Sequence, residues 1–422
     1  MKETLLHTPE GVRDIYGDEC RRKNRLLRDI HHVLHLYSYH DIETPSFEYF
    51  NIFNMEKGSA HSNEMYKFFD RENNTLVLRP DFTPSVARCV AKYYADEELP
   101  VRLCYQGKTF KNTLQHQGKP SITTQIGCEL VNDDSSAADA EMLSCVIDIL
   151  RASGLTEFLI AIGEVDFFKG LMEEAGVSIE EENEIRDLIQ ARNFFGLSEY
   201  VDNLELPEHT LKALSGFDRL IGGPETFDIA EEYSENRRAL EAVERLRKVY
   251  SALQLYGYDK YISIDLGMLN GYDYYTGIVF SGYTYGTGDA IVRGGRYNDL
   301  LQQFGKDAPS IGFAVDIDAL MTSLNHQQIM PLSPIDRTLV IYPIEYQEPA
   351  VALAKRLRNA DIKTELIRKS TRHALTEYLS YADRNRVYRV YYFLSETRLL
   401  ISDRLEKAEK EMNYADLMEE EL

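Results

Sequence analysis

The sequence predicts an α+β protein of two folded units: an antiparallel sheet interrupted in the chain by a helical module, then a small α/β domain. Three observations carry this. Glycine-broken segments rich in Ile, Val, Phe and Tyr lie on both sides of an acidic, Leu/Glu-rich stretch at about 165–255. A segment with two prolines and no periodicity, HQQIMPLSPID, follows at about 325–336 and has the character of a linker. Beyond it, strand-like and helix-like segments alternate, which suggests a partly parallel sheet. A length of 422 residues agrees, since roughly 150 residues per domain gives two or three units. The expected boundaries are 1–325, with the helical insertion at about 165–255, and 336–422.

The elements follow in chain order. Leu26, Leu27, Ile30, Val33 and Leu34 recur at helical spacing, so residues 18–36 predict an amphipathic helix. YHDIETP then reads as an extended stretch ending at Pro45. Clusters of β-branched and apolar residues predict strands at 75–80, 100–105 and 121–131, with helices at 82–94 and 136–153. After the helical stretch, strands are expected at 261–266, 277–285, 289–293 and 310–316. In the last domain TLVIYP, KTELI and YRVYYFL predict strands, while AVALAKRLRNA and HALTEYLSYADRN predict helices. Internal repeats and low-complexity tracts are absent from the sequence.

Composition narrows the function. The net charge is −22, and residues 336–422 hold 15 Lys and Arg against 16 Asp and Glu, so the acidity is concentrated before them. Such a field opposes phosphate backbones and argues against a nucleic-acid binder. Five cysteines without a CxxC pair exclude a disulfide framework and a Cys-based zinc site. No run approaches the ~20 apolar residues of a membrane span, and MKETLLHTPEGVRD has no apolar signal core. The expected compartment is the cytoplasm.

Nucleotide, zincin and hydrolase signatures are absent. His31 and His35 are four apart on the first helix, but no acidic or thiol ligand adjoins them in sequence, so they are expected to be ordinary surface residues rather than a metal site. Gln125 and Glu129 share one face of a regular strand, and a carboxylate there is costly if buried unpaired; a solvent-facing side is the bland alternative. Asp81 and Thr83 stand before a helix and could cap it or bind a ligand. Tyrosines in LNGYDYYTGIVF fit either core or site, and Gly294 and Gly295 allow close approach of a ligand or strand.

Taken together and in order, PEGVRDIYGDE, the motif ending at Pro45, LRPDFT, the stretch from Phe110 to Glu129, NGYDYYTG, RGGRYNDL and IGFAVDIDAL resemble the histidyl-tRNA synthetase family, including its branch of ATP phosphoribosyltransferase regulatory subunits. The resemblance covers nearly the whole chain. It implies a class II synthetase-like antiparallel sheet with flanking helices, and a C-terminal anticodon-binding-like domain. It also implies a histidine pocket built from Asp81, Thr83, Gln125, Glu129, Tyr275 and Tyr297. In that pocket Glu129 and Tyr275 would read the imidazole, and Asp81, Thr83 and Gln125 would hold the ammonium. Where the family places its ATP-site arginines, this sequence has Lys111, Asn270 and Ala319, and Thr113 replaces a glutamate. Arginine supplies a planar fork of donors for phosphate and carboxylate, and losing one preorganised donor lowers a rate roughly 100- to 1000-fold.

A pocket that keeps its histidine contacts and loses its ATP contacts implies a non-catalytic histidine sensor. The resemblance therefore implies a regulatory subunit that activates a short-form ATP phosphoribosyltransferase and transmits feedback inhibition by histidine in histidine biosynthesis. It further implies a homodimer within a hetero-oligomer, with no cofactor, no metal, no membrane association and no tRNA binding. A histidyl-tRNA synthetase, or a non-enzymatic tRNA-binding or protein-interaction paralogue, remains the alternative at this point.

Overall fold

Both faces of the main sheet are covered, and its strands show why in their sequence. Along strand Ile122–Val131, Ile126, Cys128 and Leu130 enter a large core with helices Gly17–Leu36 and Ser136–Ala152, while Val131 on the alternate face packs with Phe82, Val86 and Val90. A strand buried on both sides needs no polar alternation.

The computed structural model describes residues 6–54, 62–112, 120–269, 275–329 and 337–419. The chain divides into two compact units, Met1–Pro331 and Leu332–Leu422. Among the described residues the first unit contains a nine-stranded sheet in the order His40–Asp41, Val101–Phe110, Ile122–Val131, Ser310–Asp316, Val292–Arg296, Ile278–Thr284, Phe158–Glu164, Ile262–Asp265 and Ile221–Gly222. Its pairings are antiparallel except at two places. His40–Asp41 runs parallel to Val101–Phe110, and Phe158–Glu164 runs parallel to Ile262–Asp265.

The expected antiparallel sheet is present with these two parallel pairings added, and one expected strand lies outside it. The strand expected at 75–80, found at Thr75–Leu78, belongs to a separate three-stranded sheet with Phe47–Tyr49 and Lys67–Phe69. Strand Phe158–Glu164 and helix Ile317–His326 carried no sequence expectation, and the strand expected at 289–293 lies at Val292–Arg296.

The helical stretch runs through Val165–Ala175, Ile179–Gln190, Phe194–Val201, Glu208–Ser215, Glu225–Tyr233 and Arg237–Tyr256. It connects the parallel pair Phe158–Glu164 and Ile262–Asp265, and Phe167, Phe217, Phe227 and Leu246 share one continuous core with the sheet. Helix Arg237–Tyr256 starts on Asn236, whose side chain accepts two backbone N–H groups, and stops at Gly257 in the left-handed region.

In the second unit five strands pair in the order Lys363–Arg368, Arg337–Tyr342, Val387–Phe393, Arg398–Asp403 and Ala408–Asn413. The first three are parallel and the last two antiparallel. Alternate residues of Arg337–Tyr342 separate two cores: Val340 and Tyr342 pack with Leu353 and Leu357 of helix Gln347–Asn359, and Leu339 and Ile341 with Ala382 of helix Leu375–Arg384. Among the described residues helix Gln347–Asn359, joined by Leu417 of helix Tyr414–Glu419, covers one face, and helix Leu375–Arg384 covers the other.

Candidate functional site

Strand Ile122–Val131 is regular, so Gln125 and Glu129 do share a face, paired with Asp316 and Gly312 of the neighbouring strand. That face is not open to solvent at Glu129, which is 1% exposed. Helix Thr83–Tyr93 and the segment after strand Val292–Arg296 close over it. Thr83 Oγ1 donates to Glu129 Oε1 at 2.8 Å, and Tyr297 Oη donates to Oε2. Burial, aided by the nearby Asp81 charge and opposed by hydrogen bonds from Tyr297 and Thr83, pushes the Glu129 carboxyl up to about 8. A buried carboxylate of this kind is suited to a cationic or N–H-bearing ligand that would lower its charge cost.

The strand opposite makes room for it. A methyl group on Gly312 would overlap the Glu129 carboxylate, so glycine is required there by space rather than by backbone angle. Gly295 has a matching role: a Cβ there would stand 2.7 Å from the Tyr275 ring, which lies partly buried above it. Burial, followed by the charges of Asp81 and Glu129, raises the Tyr275 phenol, so it stays a neutral donor at physiological pH. Asp81 accepts the Phe82 backbone N–H at 2.7 Å, one residue before helix Thr83–Tyr93, which starts on Phe82 without a side-chain cap, so the expected capping role is not seen for Asp81 or Thr83. Among the described residues Gln125 Oε1 is buried without a hydrogen-bond partner, which leaves an acceptor on the same strand face as Glu129.

Thus Thr83, Glu129 and Tyr297 are directly bonded, Asp81 and Tyr275 are electrostatically coupled to Glu129, and Gln125 lies on the same strand face. Sequence reasoning passed over two supports. Tyr105 stacks on Phe82 at 4.4 Å and helps hold Glu129. Arg79, buried against the Phe82 ring at 3.9 Å, donates to Lys108 O, Thr44 O and Pro45 O, so it locks LRPDFT to the segment ending at Pro45. The signal available was an arginine directly after the apolar run Thr75–Leu78 and a tyrosine beside Leu103 and Cys104 in strand Val101–Phe110.

The positions expected to have lost their arginines are less uniform. Lys111 is exposed at the end of strand Val101–Phe110, its N–H bonded to Ser121 O. Ala319 lies in the first turn of helix Ile317–His326, where its N–H is capped by Asp316 Oδ1 at 3.0 Å and its methyl packs on the core. Its neighbour Asp318 accepts Lys23 Nζ at 2.6 Å and the Thr124 N–H at 2.8 Å. Thr113 and Asn270 lie outside the described residues.

Beneath the site, Arg296 is buried with both Nε and Nη2 on Asp139 Oδ1 at 2.9 and 2.6 Å, and Arg245 Nε donates to Asp139 Oδ2. With two of its donors on one carboxylate oxygen, the Arg296 guanidinium ties strand Val292–Arg296 to helix Ser136–Ala152 and holds the backbone that carries Tyr297. His31 and His35 are not the unaccompanied surface pair expected from sequence, because the fold brings Asp41 and Cys104 to them.

The sequence pattern of the histidyl-tRNA synthetase family matches residues 11–320. An ATP phosphoribosyltransferase regulatory subunit of Acetivibrio thermocellus is 38% identical over 87% of this chain and 88% of its own length. A protein of the same name from Clostridium novyi is 30% identical over 100% of both chains. A solved structure described as an ATP phosphoribosyltransferase regulatory subunit/histidyl-tRNA synthetase, from Bacillus halodurans, superposes with a TM-score of 0.83 at 29% identity, covering 92% of this chain and 98% of that one. With its class II synthetase-like first unit and C-terminal sheet unit, the chain belongs to the histidyl-tRNA synthetase family, in its branch of ATP phosphoribosyltransferase regulatory subunits.

Proposed function

We propose that this chain is the non-catalytic regulatory subunit of a short-form ATP phosphoribosyltransferase, that it binds free histidine, and that the pocket transmits activation and feedback inhibition of the first step of histidine biosynthesis. The observation that carries the reading is Glu129, 1% exposed and fixed by Thr83 and Tyr297, while Ala319 stands where the family resemblance expects an arginine. A synthetase must stabilise charge developing on ATP, and a methyl at Ala319 with an exposed lysine at Lys111 supplies little of that. A sensor needs only the amino-acid half.

In this reading Glu129 and Tyr275 receive the imidazole, and Asp81, Thr83 and Gln125 hold the ammonium, the partnerless Gln125 Oε1 being a ready acceptor. The replacement of arginine by Asn270 leaves the carboxylate of the ligand without a cation there, which favours modest affinity suited to a metabolite sensor. Inhibition is then a coupling free energy between this pocket and the catalytic partner. We place the complex in the cytoplasm, as a homodimer of this chain joined to catalytic subunits; among the described residues no helix is long and apolar enough to cross a membrane.

The test is reconstitution. Mixing the purified chain with the short catalytic subunit should raise phosphoribosyl transfer from phosphoribosyl pyrophosphate to ATP, and added histidine should suppress it. The chain alone should show no histidine-dependent ATP–pyrophosphate exchange. Exchange above background, or a partner whose rate is unchanged on mixing, would overturn the reading.

A further inference from the structure

Away from the histidine pocket, four side chains of metal-ligating type converge on the outer edge of the main sheet. His31 and His35 are one turn apart on helix Gly17–Leu36, with ring centroids 4.2 Å apart. Asp41 lies on the two-residue edge strand that follows the helix, and its backbone partner across the parallel pairing is Cys104. His31 Nε2 stands 2.6 Å from Asp41 Oδ1, His35 Nε2 3.1 Å from Asp41 Oδ2, and Cys104 Sγ 3.5 Å from Asp41 Oδ1.

All four ligand atoms lie within 4.8 Å of one another. A tetrahedral zinc site with bonds of about 2.0–2.3 Å separates its ligand atoms by about 3.3–3.8 Å, so the cluster is within a rotamer adjustment of that geometry. The donor set also fits: two imidazoles, one carboxylate and one thiolate suit Zn2+ and its neighbours better than Mg2+ or Ca2+, which take oxygen ligands. Cys104 is buried at the floor, while His35 and Asp41 are exposed at the rim, which gives an ion a path from solvent.

We propose that His31, His35, Asp41 and Cys104 form a Zn2+-binding site that fastens the N-terminal helix to the edge strand of the sheet. With four protein ligands the site is closed, which makes it structural rather than catalytic. Asp41 lies a few residues before Pro45, whose carbonyl takes Arg79 Nη1 at 3.2 Å, and Arg79 also stacks on Phe82, next to Thr83 of the candidate pocket. The ion would therefore stiffen the far end of the same support. The proposal does not depend on histidine binding.

Without an ion the same four groups make a hydrogen-bonded cluster, with both imidazoles donating to Asp41, and the experiment separates the two. Full-length protein freed of metal with a chelator is titrated with Co2+, then with Zn2+. A site of this composition gives visible bands of tetrahedral Co2+ and a near-ultraviolet thiolate-to-cobalt band, displaced by Zn2+, with a raised melting temperature. Cys104→Ser should remove the near-ultraviolet band. His35→Ala, at an exposed position, should weaken Co2+ binding at least tenfold and abolish the rise in melting temperature. Should Cys104→Ser fail to fold, His35→Ala and Asp41→Asn decide the matter. Absence of the bands in the parent protein, or unchanged affinity in both exposed variants, would leave only the hydrogen-bonded cluster and overturn the proposal.

Discussion

Replacing Glu129 by glutamine changes one atom of a side chain that is 1% exposed and bonded on both oxygens, so the outcome is unusually direct to predict. Both existing partners, Thr83 and Tyr297, are donors. The amide nitrogen of a glutamine cannot accept from either, so one donor loses its partner, and the imidazole N–H loses its charged acceptor. Leaving a buried donor unpaired costs about 1–3 kcal/mol, and each 1.4 kcal/mol is tenfold in affinity, which gives a loss of roughly ten- to a hundredfold for histidine. The pH profile supplies a second signature. With the empty-site carboxyl pushed up to about 8, most of it carries a proton at pH 7. Neutral imidazole must then displace that proton, so affinity should rise as pH goes from about 6.5 to about 8 and level off above. Titration calorimetry over that range, in buffers of different ionisation enthalpy, should show proton release in the parent and none in Glu129→Gln. The mutant complex should also stay active at histidine concentrations that shut down the parent. Unchanged binding and an unchanged inhibition curve in a folded Glu129→Gln protein would refute the site assignment, even with the family membership intact.

Gly312→Ala places a methyl on the Glu129 carboxylate and should cost about 1–3 kcal/mol by overpacking, read as a shift of the urea midpoint, together with loss of histidine binding. Asp139→Asn removes a buried charge held between Arg296 and Arg245; destabilisation of about 3–5 kcal/mol is expected by chemical denaturation, against no measurable shift when an exposed pair such as Arg237–Glu241 is broken. Glu164, 3% exposed and with Oε2 lacking a hydrogen-bond partner among the described residues, has its carboxyl pushed up to about 8 by burial and then by Asp166. Because its folded value lies above the ordinary value of about 4.3, the folded state holds the extra proton between those limits, and stability falls as pH rises from about 4.5 to about 8. Glu164→Gln should flatten that fall, measured as denaturation midpoints from pH 5 to pH 9; a parallel curve in the variant would refute it.

What the sequence revealed of the fold follows the range of the interactions involved. Helix Gly17–Leu36 and strand Ile122–Val131 were legible because one buried stripe or one β-branched run fixes each locally. Strand Phe158–Glu164 was not: FLIAIGE is a short apolar run directly against a helix-forming sequence, and periodicity cannot separate a buried strand from a buried helical turn at that length. Phe47–Tyr49 and Lys67–Phe69 are three residues each, too short for any alternation to register, and only their pairing with Thr75–Leu78 makes them strands. The two parallel pairings of the main sheet were hidden for a different reason, since strand direction there depends on connections that no local window contains, whereas the strand–helix alternation of the second unit announced its parallel strands.

The two polar clusters differ in the same way. Period-two spacing placed Gln125 and Glu129 on one face but left open whether that face met water, because the groups that close it, Thr83 and Tyr297, are 46 and 168 residues from Glu129 along the chain. The family motifs bridged that distance by giving both residues a place in a histidine pocket before their contacts were known. No motif did so for His31, whose acidic neighbour Asp41 is 10 residues away and whose thiol neighbour Cys104 is 63 residues from Asp41. A histidine pair on a helix carries too little information by itself, since most such pairs face solvent. Only the parallel register of Asp41 with Cys104 supplies the other two donors. If the proposed zinc site holds, a relative keeping the histidine spacing but lacking the acid or the thiol should bind Zn2+ more weakly, while its counterparts of the bonds from Thr83 and Tyr297 to Glu129, which use neither group, stay intact.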